Sequence, residues 1–253
     1  LEKVATGPEM GKSLAEAEVD DALTLILRGE ISPIRSAIFL IATRMKRETL
    51  EENIGFWKAL DRTTLKHNVN LDRLLQVADP FDGFERVPYF GFYAIPLISA
   101  MGLPAYGHSS LPLPPKFGIT FESILYNQYQ VPLDASLDKR ARLIEDHQFG
   151  YLSTRQSHPA LEALRALREE IVKRTMLSTF EKMLQPLKAK LNYLATGYFH
   201  KGYETPMLAA GKLSGFDTKL AGNGTEGSTL YGAHKAGRLF IQTKTEVAET
   251  SIM

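Results

Sequence analysis

The sequence predicts an α/β protein, with an N-terminal helical module followed by a domain built on a central, mostly parallel sheet. Three observations lead there. The first sixty residues carry clear helix punctuation around apolar residues at helical spacing. From about Leu71 the texture changes, as glycine, proline and aromatic residues become frequent and apolar runs shorten. Beyond that point short strand-like and helix-like segments alternate, the pattern of a sheet with helices packed on it.

Each element has its own residue signal. Ser13 and Glu16 read as a capping box ahead of Leu14, Ala17, Ala22, Leu25 and Ile26, and Gly29 closes that helix. Ser32 caps a second helix with Pro33 in its first position, where a missing N–H costs nothing. Ile34, Ala37, Ile38 and Ile41 recur there at helical spacing. Thr49 and Glu52 form another capping box, and a third helix runs to about Leu60. "DPFDGFERVP" is turn-rich. Tyr89 to Met101 reads as helix and "LPAYG" as a short strand. "SSLPLPPKFG" is a proline-stiffened loop that no central strand could accommodate. Then follow "ITFESILYNQ" as helix, "FGYLST" as strand and "PALEALRALREEIVKR" as helix. "LNYLATGYF" reads as strand, "TPMLAAGKLSG" as helix, and "KLAGNGTEGS" as a strand running into a loop. The resulting division is a helical module over residues 1–66, joined by helices from about 167–188, and an α/β domain over 67–253.

Composition narrows the function. The 253 residues are 44% hydrophobic, enough for one large domain or two unequal ones. The net charge of +1 gives no general field toward nucleic acid or membrane, so any such binding needs a local patch. The absence of cysteine excludes disulfides, thiolate nucleophiles and cysteine metal sites. The apolar run from Val87 to Gly107 is broken by Pro88, Pro96, Gly102 and Pro104, so no membrane insertion is expected. The chain opens on Leu1, which suits a leader removed or left out.

The segment from 158 to 175 is the most informative helix. Leu161, Leu164, Leu167 and Ile171 lie on one side, and Glu162, Arg165, Arg168 and Glu169 toward the other. By spacing alone this suits a surface helix with paired charges as well as a ligand-binding one. Its neighbours add a resemblance. "GYLSTRQSHPALEALRALREEIVKRT" resembles the anthranilate phosphoribosyltransferase family, in which a strand leads to a His-Pro-Ala helix and an R-x(5)-R-T pattern. Here those positions are His158, Pro159, Ala160, Arg168, Arg174 and Thr175. "EVDDALTLILRGEISPIRSAIFLIATRMKRETLEENIGFWKAL" is similar to the family's opening helices, with Arg35 where glutamine is usual and Arg47 where glycine is usual. "STFEKMLQPL", "TGYFHKGYETPM" and "GTEGS" resemble a divergent branch of the family, with dimeric, nucleic-acid-binding members that lack the namesake activity.

The resemblance implies a phosphoribosyltransferase-like fold related to the nucleoside phosphorylases, and a test of its catalytic parts. Such an enzyme must hold a diphosphate leaving group and Mg²⁺ while an amine attacks the ribose carbon. The family's G-T-G-G-D-G loop offers bare backbone amides to the diphosphate. The matching stretch here is "ADPFDGFERVPYF", where Asp82 and Gly83 mark a degenerate phosphate loop and Phe81 and Phe84 add bulk. The family's K-H-G-N-x-x-x-S-S loop reads "YGHSSLPLPPK". His108 keeps the histidine place, though it equally suits a hydrogen-bonded histidine at a strand end. The Asp-Glu pair that would carry Mg²⁺ reads "GTEG", so Glu226 is the single metal-ligand candidate, and it equally suits an exposed turn. Arg168 stands where the enzymes set an arginine against the anthranilate carboxylate. Arg174 joins His108 and Arg168 as an anion-binding candidate by resemblance.

Two functions follow as expectations. The first is a protein that has lost phosphoribosyl transfer and serves as a nucleic-acid- or protein-binding subunit, with no cofactor. Arg44, Lys46, Arg47, Arg165, Lys173 and Lys182 would form its basic patch, diluted by nearby glutamates. The second is an active Mg²⁺-dependent transferase on anthranilate or a related aromatic acid, as in tryptophan biosynthesis. Either is expected to dimerise through the helical module, with Ile38, Phe39, Ile54, Phe56 and Trp57 as contact or core. Family members run longer than this chain, so either the end is missing or the fold is trimmed. A cytoplasmic or plastid-stromal location is the analogy with amino-acid metabolism.

Overall fold

The computed structural model describes residues 1–7, 9–232 and 236–252. The helical module opens with α1 (Glu16–Leu27), α2 (Pro33–Lys46) and α3 (Leu50–Thr63). Two of the three expected caps form. Ser32 Oγ accepts from the Arg35 amide, and Thr49 Oγ1 and the Glu52 carboxylate exchange hydrogen bonds with each other's backbone amides. The Ser13–Glu16 box does not form. The helix begins at Glu16 with Ala15 as its cap residue, and Glu18 reaches back to the Ala15 amide at 2.9 Å. Ser13 instead lies 3.4 Å from Lys46 Nζ.

Helices α1 and α3 pack so closely that a Cβ on Gly55 would fall 2.4 Å from the Glu16 carbonyl oxygen. The glycine is therefore a contact requirement in the middle of α3 despite its low helix propensity. Arg47 ends α2 at φ 66, ψ 114, a region that costs a non-glycine residue about 1–3 kcal/mol. It is the position where the resembling helices carry glycine.

The second domain contains β1 (His67–Asn68), β2 (Arg73–Ala78), α4 (Gly91–Ala100), β3 (Ala105–Ser109), α5 (Phe121–Asn127), α6 (Leu137–His147) and β4 (Phe149–Ser153). The chain then forms α7 (Thr154–Ser157), α8 (Pro159–Glu162), α9 (Arg165–Ile171), α10 (Leu177–Phe180), β5 (Leu187–Lys188) and β6 (Leu191–Gly197). It continues through α11 (Glu204–Leu213), β7 (Thr218–Gly222), β8 (Gly237–Gln242) and β9 (Val247–Ile252). The long helix expected over 159–174 is thus two short ones. The chain bends at Leu164 (φ −82, ψ 3) and α9 stops at Val172, which is left-handed at φ 61. Sequence patterning also passed over β2, α6, β8 and β9.

The main sheet has the order β4-β3-β2-β6-β7-β8-β9. Its first five strands are parallel, and β8 and β9 add antiparallel partners at one edge. Side chains of β2 alternate between the two faces, as a pleated strand requires. Leu75 and Val77 pack with Phe92, Ile95, Phe121 and Ile124 of α4 and α5. Ala78 joins the large cluster formed by the helical module, with Leu23, Leu40, Phe56, Leu177 and Phe180. A continuous core therefore ties the helices to the sheet.

From β2 the chain builds outward through β3 and β4, and then returns to the other side of β2 to lay down β6 and β7. This reversal sets a crevice at the carboxyl ends of β2 and β6, the usual ligand position in open α/β sheets.

Candidate functional site: a cleft at the strand switch point

The crevice exists as a cleft of about 480 Å³. Its wall comes from the loops after β2 (Pro80 to Asp82, Glu85, Arg86), after β6 (Tyr198 to His200) and after β7 (Glu226, Gly227). The helical module contributes Arg44, and the segment after α9 contributes Arg174, Thr175, Ser178 and Lys182. Five cations, Arg44, Arg86, Lys116, Arg174 and Lys182, line it against three carboxylates, Asp82, Glu85 and Glu226. Formally the lining is cationic, so an anion is the favoured occupant.

The amides of the loop after β2, where the resemblance puts a phosphate-binding loop, are bonded within the chain. Gly83 N donates to the Pro80 carbonyl at 2.9 Å, and Phe84 N to the Ile119 carbonyl at 2.9 Å. Ile119 N and Gly118 N return bonds to the Phe84 and Asp82 carbonyls, so residues 82–84 pair with 118–119. Gly83 sits at φ 79, and a Cβ there would be 2.4 Å from the Gly118 carbonyl carbon. This glycine serves a backbone-to-backbone approach. The next two amides, of Glu85 and Arg86, point to the Glu226 carboxylate at 3.3 and 2.9 Å. The loop does cradle an anion, and that anion belongs to the chain.

Lys116 completes the arrangement. Its ammonium lies 3.0 Å from Glu226 and 3.7 Å from Asp82. Asp82 also accepts two bonds from the Arg174 guanidinium, the Nε one at 2.8 Å. Burial alone would raise the pKa of Glu226, but the Arg86 amide and Lys116 outweigh it and hold the carboxyl below its ordinary value. Glu226 is itself left-handed (φ 54, ψ 18), followed by Gly227 at φ 80. Asp79, at the end of β2, anchors this turn by accepting from Thr229 N at 2.7 Å and Tyr89 Oη at 2.8 Å. Burial raises the Asp79 pKa against those two bonds.

The residues present do not suit Mg²⁺. A hard dication needs several oxygen ligands. Here the Lys116 ammonium reaches both carboxylates of the cleft floor, and no group of three or more histidine or acidic residues converges among the described residues. Glu226, the sole expected ligand, is neither an exposed turn residue nor free to take a metal.

The other expected site residues divide. Arg174 lines the cleft, while His108 and Arg168 do not. His108 is fully buried, with Nε2 3.0 Å from Ser157 Oγ and the Phe81 ring edge-on at 5.4 Å. Burial, with His158 nearby, pushes its pKa down to about 3, so the ring is neutral. Arg168 is buried in a two-bond ion pair with Glu181, at 2.7 and 3.0 Å. Its carboxylate partner is thus internal as well.

The basic patch does not form one exposed surface. Lys182 is buried and donates to the Gly197 carbonyl. Burial pushes its pKa down to about 8, against the pull of Asp79, Asp82 and Glu181. Arg165 turns in to the Leu111 and Pro112 carbonyls and Glu162. Lys46 pairs with Glu52, and Arg44 pairs with Glu48 while lying 5.0 Å over the Tyr203 ring. Arg47 and Lys173 remain on the surface. Lys116, Arg86, Asp79 and the aromatic wall of Phe199, His200 and Tyr203 were not singled out from sequence.

Comparison with known proteins places the chain. Residues 1–64 match the family model described as the helical bundle domain of the glycosyl transferase family. The anthranilate phosphoribosyltransferase of Methanopyrus kandleri is 24% identical over 98% of this chain and 68% of its own. Over nearly its whole length the chain is similar to anthranilate phosphoribosyltransferases. An uncharacterized protein of Aquifex aeolicus is 28% identical over 76% of this chain, which spans 56% of that protein. Anthranilate phosphoribosyltransferase from Thermus thermophilus superposes with a TM-score of 0.75 at 20% identity, over 99% of this chain and 73% of that one. The Saccharomyces cerevisiae enzyme in complex with PRPP and Mg gives 0.76 at 15% identity, over 98% and 70%. The helical bundle and mostly parallel sheet are therefore the fold of these structural neighbours. No helix among the described residues is long and apolar enough to cross a membrane.

Proposed function

We propose that this chain is a family member that does not transfer phosphoribose, and that its cleft serves to bind an anionic ligand. One observation carries the reading: the amides and cations that would hold a diphosphate are engaged by Pro80, Ile119, Glu226 and Asp82. A ligand with Mg²⁺ would have to displace two paired carboxylates and a lysine before its own contacts formed. Calorimetric titration with phosphoribosyl pyrophosphate and Mg²⁺ tests this. The expected result is no magnesium-dependent heat of binding at micromolar affinity. Saturable, magnesium-dependent micromolar binding would restore the active-transferase reading, with anthranilate or a related acid as acceptor. A nucleic-acid function finds less support, because the basic patch is largely turned inward or paired.

The helical module supports a homodimer. Phe39, Phe56 and Trp57 are core, but Ile34, Ile38 and Met45 are 74%, 44% and 78% exposed along one stripe of α2. Leu50, at the start of α3, is exposed too, at 49%. An apolar stripe of this kind suits a self-complementary two-fold contact. Sedimentation at micromolar concentration is expected to give twice the chain mass, and Ile38→Glu the single mass. A wild-type monomer would refute the dimer.

A further inference from the structure

The Glu226 carboxylate sits as a bound anion would. Two consecutive amides, of Glu85 and Arg86, converge on it, and the Lys116 ammonium is 3.0 Å away. The group lines the cleft and is almost fully enclosed. It arrives on a turn whose backbone is left-handed at a residue with a side chain, a conformation that the surroundings must hold in place. Asp79 supplies that hold through the Thr229 amide.

We propose that Glu226 is a displaceable internal ligand that closes a phosphate site made by the Glu85 and Arg86 amides and Lys116, and that a phosphate dianion opens it. The inference rests on reading the cleft as an anion site, and not on the loss of transfer. A carboxylate carries one charge into this seat. A phosphate dianion brings a second charge and a further acceptor oxygen to Lys116, which also faces Asp82 at 3.7 Å, and this gives it a selective advantage over chloride or acetate. The tethered carboxylate competes at high effective concentration, so apparent affinity in the intact protein is reduced in proportion to the fraction of molecules with the seat empty. The Phe199, His200 and Tyr203 side chains wall the same cleft, so an aromatic phosphate monoester could use both features.

Calorimetry with inorganic phosphate and with phenyl phosphate, both without magnesium, compares the wild type with Glu226→Ala and Glu226→Gln. Removing the competitor is expected to tighten phosphate binding about 10-fold or more in both variants, the gain for a seat that is closed in roughly nine molecules of ten. Adding Lys116→Gln to the alanine variant is expected to abolish the gain. A stronger gain for phenyl phosphate would identify a monoester as the ligand, and a stronger gain for inorganic phosphate would identify the free anion. Unchanged affinity for both probes in the glutamine variant, with its circular dichroism and melting transition intact, would overturn the proposal. The failure of this test would leave the absence of transfer untouched. Magnesium-dependent binding of phosphoribosyl pyrophosphate to the wild type would sink the latter alone.

Discussion

Glu181→Ala is expected to lower the free energy of unfolding by about 3–5 kcal/mol, because it strands a buried guanidinium. Arg168 and Glu181 are joined by two bonds in a pocket where their side chains are only 9% and 1% exposed. Ser178 Oγ, at 3.4 Å, is the other contact of that guanidinium and cannot replace a carboxylate. The double variant Arg168→Met, Glu181→Leu is expected to recover most of the loss, since it removes both charges together. Urea denaturation of the three proteins tests this. A single variant within about 1 kcal/mol of wild type would mean the pair is solvated in solution. The result bears on function, because Arg168 is the residue the family resemblance assigns to a substrate carboxylate. An arginine bonded twice to a buried carboxylate of its own chain is not held in reserve for a ligand.

Gln76→Leu is expected to cost about 3 kcal/mol, since it removes several buried hydrogen bonds at once. Gln76 is fully buried in β2, where Nε2 donates to the Lys182 and Leu184 carbonyls at 3.1 and 3.0 Å and Oε1 accepts from Tyr106. Leucine fits the volume but leaves two carbonyls and a phenol without that partner. The loss also loosens the segment that places Lys182 in the cleft. Chemical denaturation reads the stability, and hydrogen exchange at residues 182–187 reads the local effect. Unchanged stability and exchange would show that this amide does not bind the segment to the sheet.

Much of the fold was legible because its signals are local. The Thr49–Glu52 box and the Ser32–Pro33 start depend on residues close in sequence, and both form. The Ser13–Glu16 reading failed because the same spacing recurs at Ala15–Glu18, where the glutamate alone can satisfy the first amide. Beside the break at Leu164, Arg165 bonds the Leu111 and Pro112 carbonyls, contacts that helical periodicity cannot register. Strand β2 was passed over because Gln76 interrupts its apolar run, and that glutamine is there for a partner more than a hundred residues away. For the same reason the site was only half visible. The departure of "DPFDGFERVP" from a glycine-rich loop was plain. What filled it was not, since Asp82, Lys116, Arg174 and Glu226 converge from four distant parts of the chain.

A common pattern joins these groups. Arg168 holds Glu181, Arg174 holds Asp82, and Lys116 holds Glu226. Three cations, two of them lining the cleft, are each matched by a carboxylate of the chain. The most direct test is an amide ¹H–¹⁵N correlation spectrum followed during addition of phosphoribosyl pyrophosphate and Mg²⁺. With Glu226 seated on them, the Glu85 and Arg86 amide signals are expected to show no movement that depends on magnesium. Saturable movement of those two signals that requires magnesium would contradict a cleft closed to that substrate.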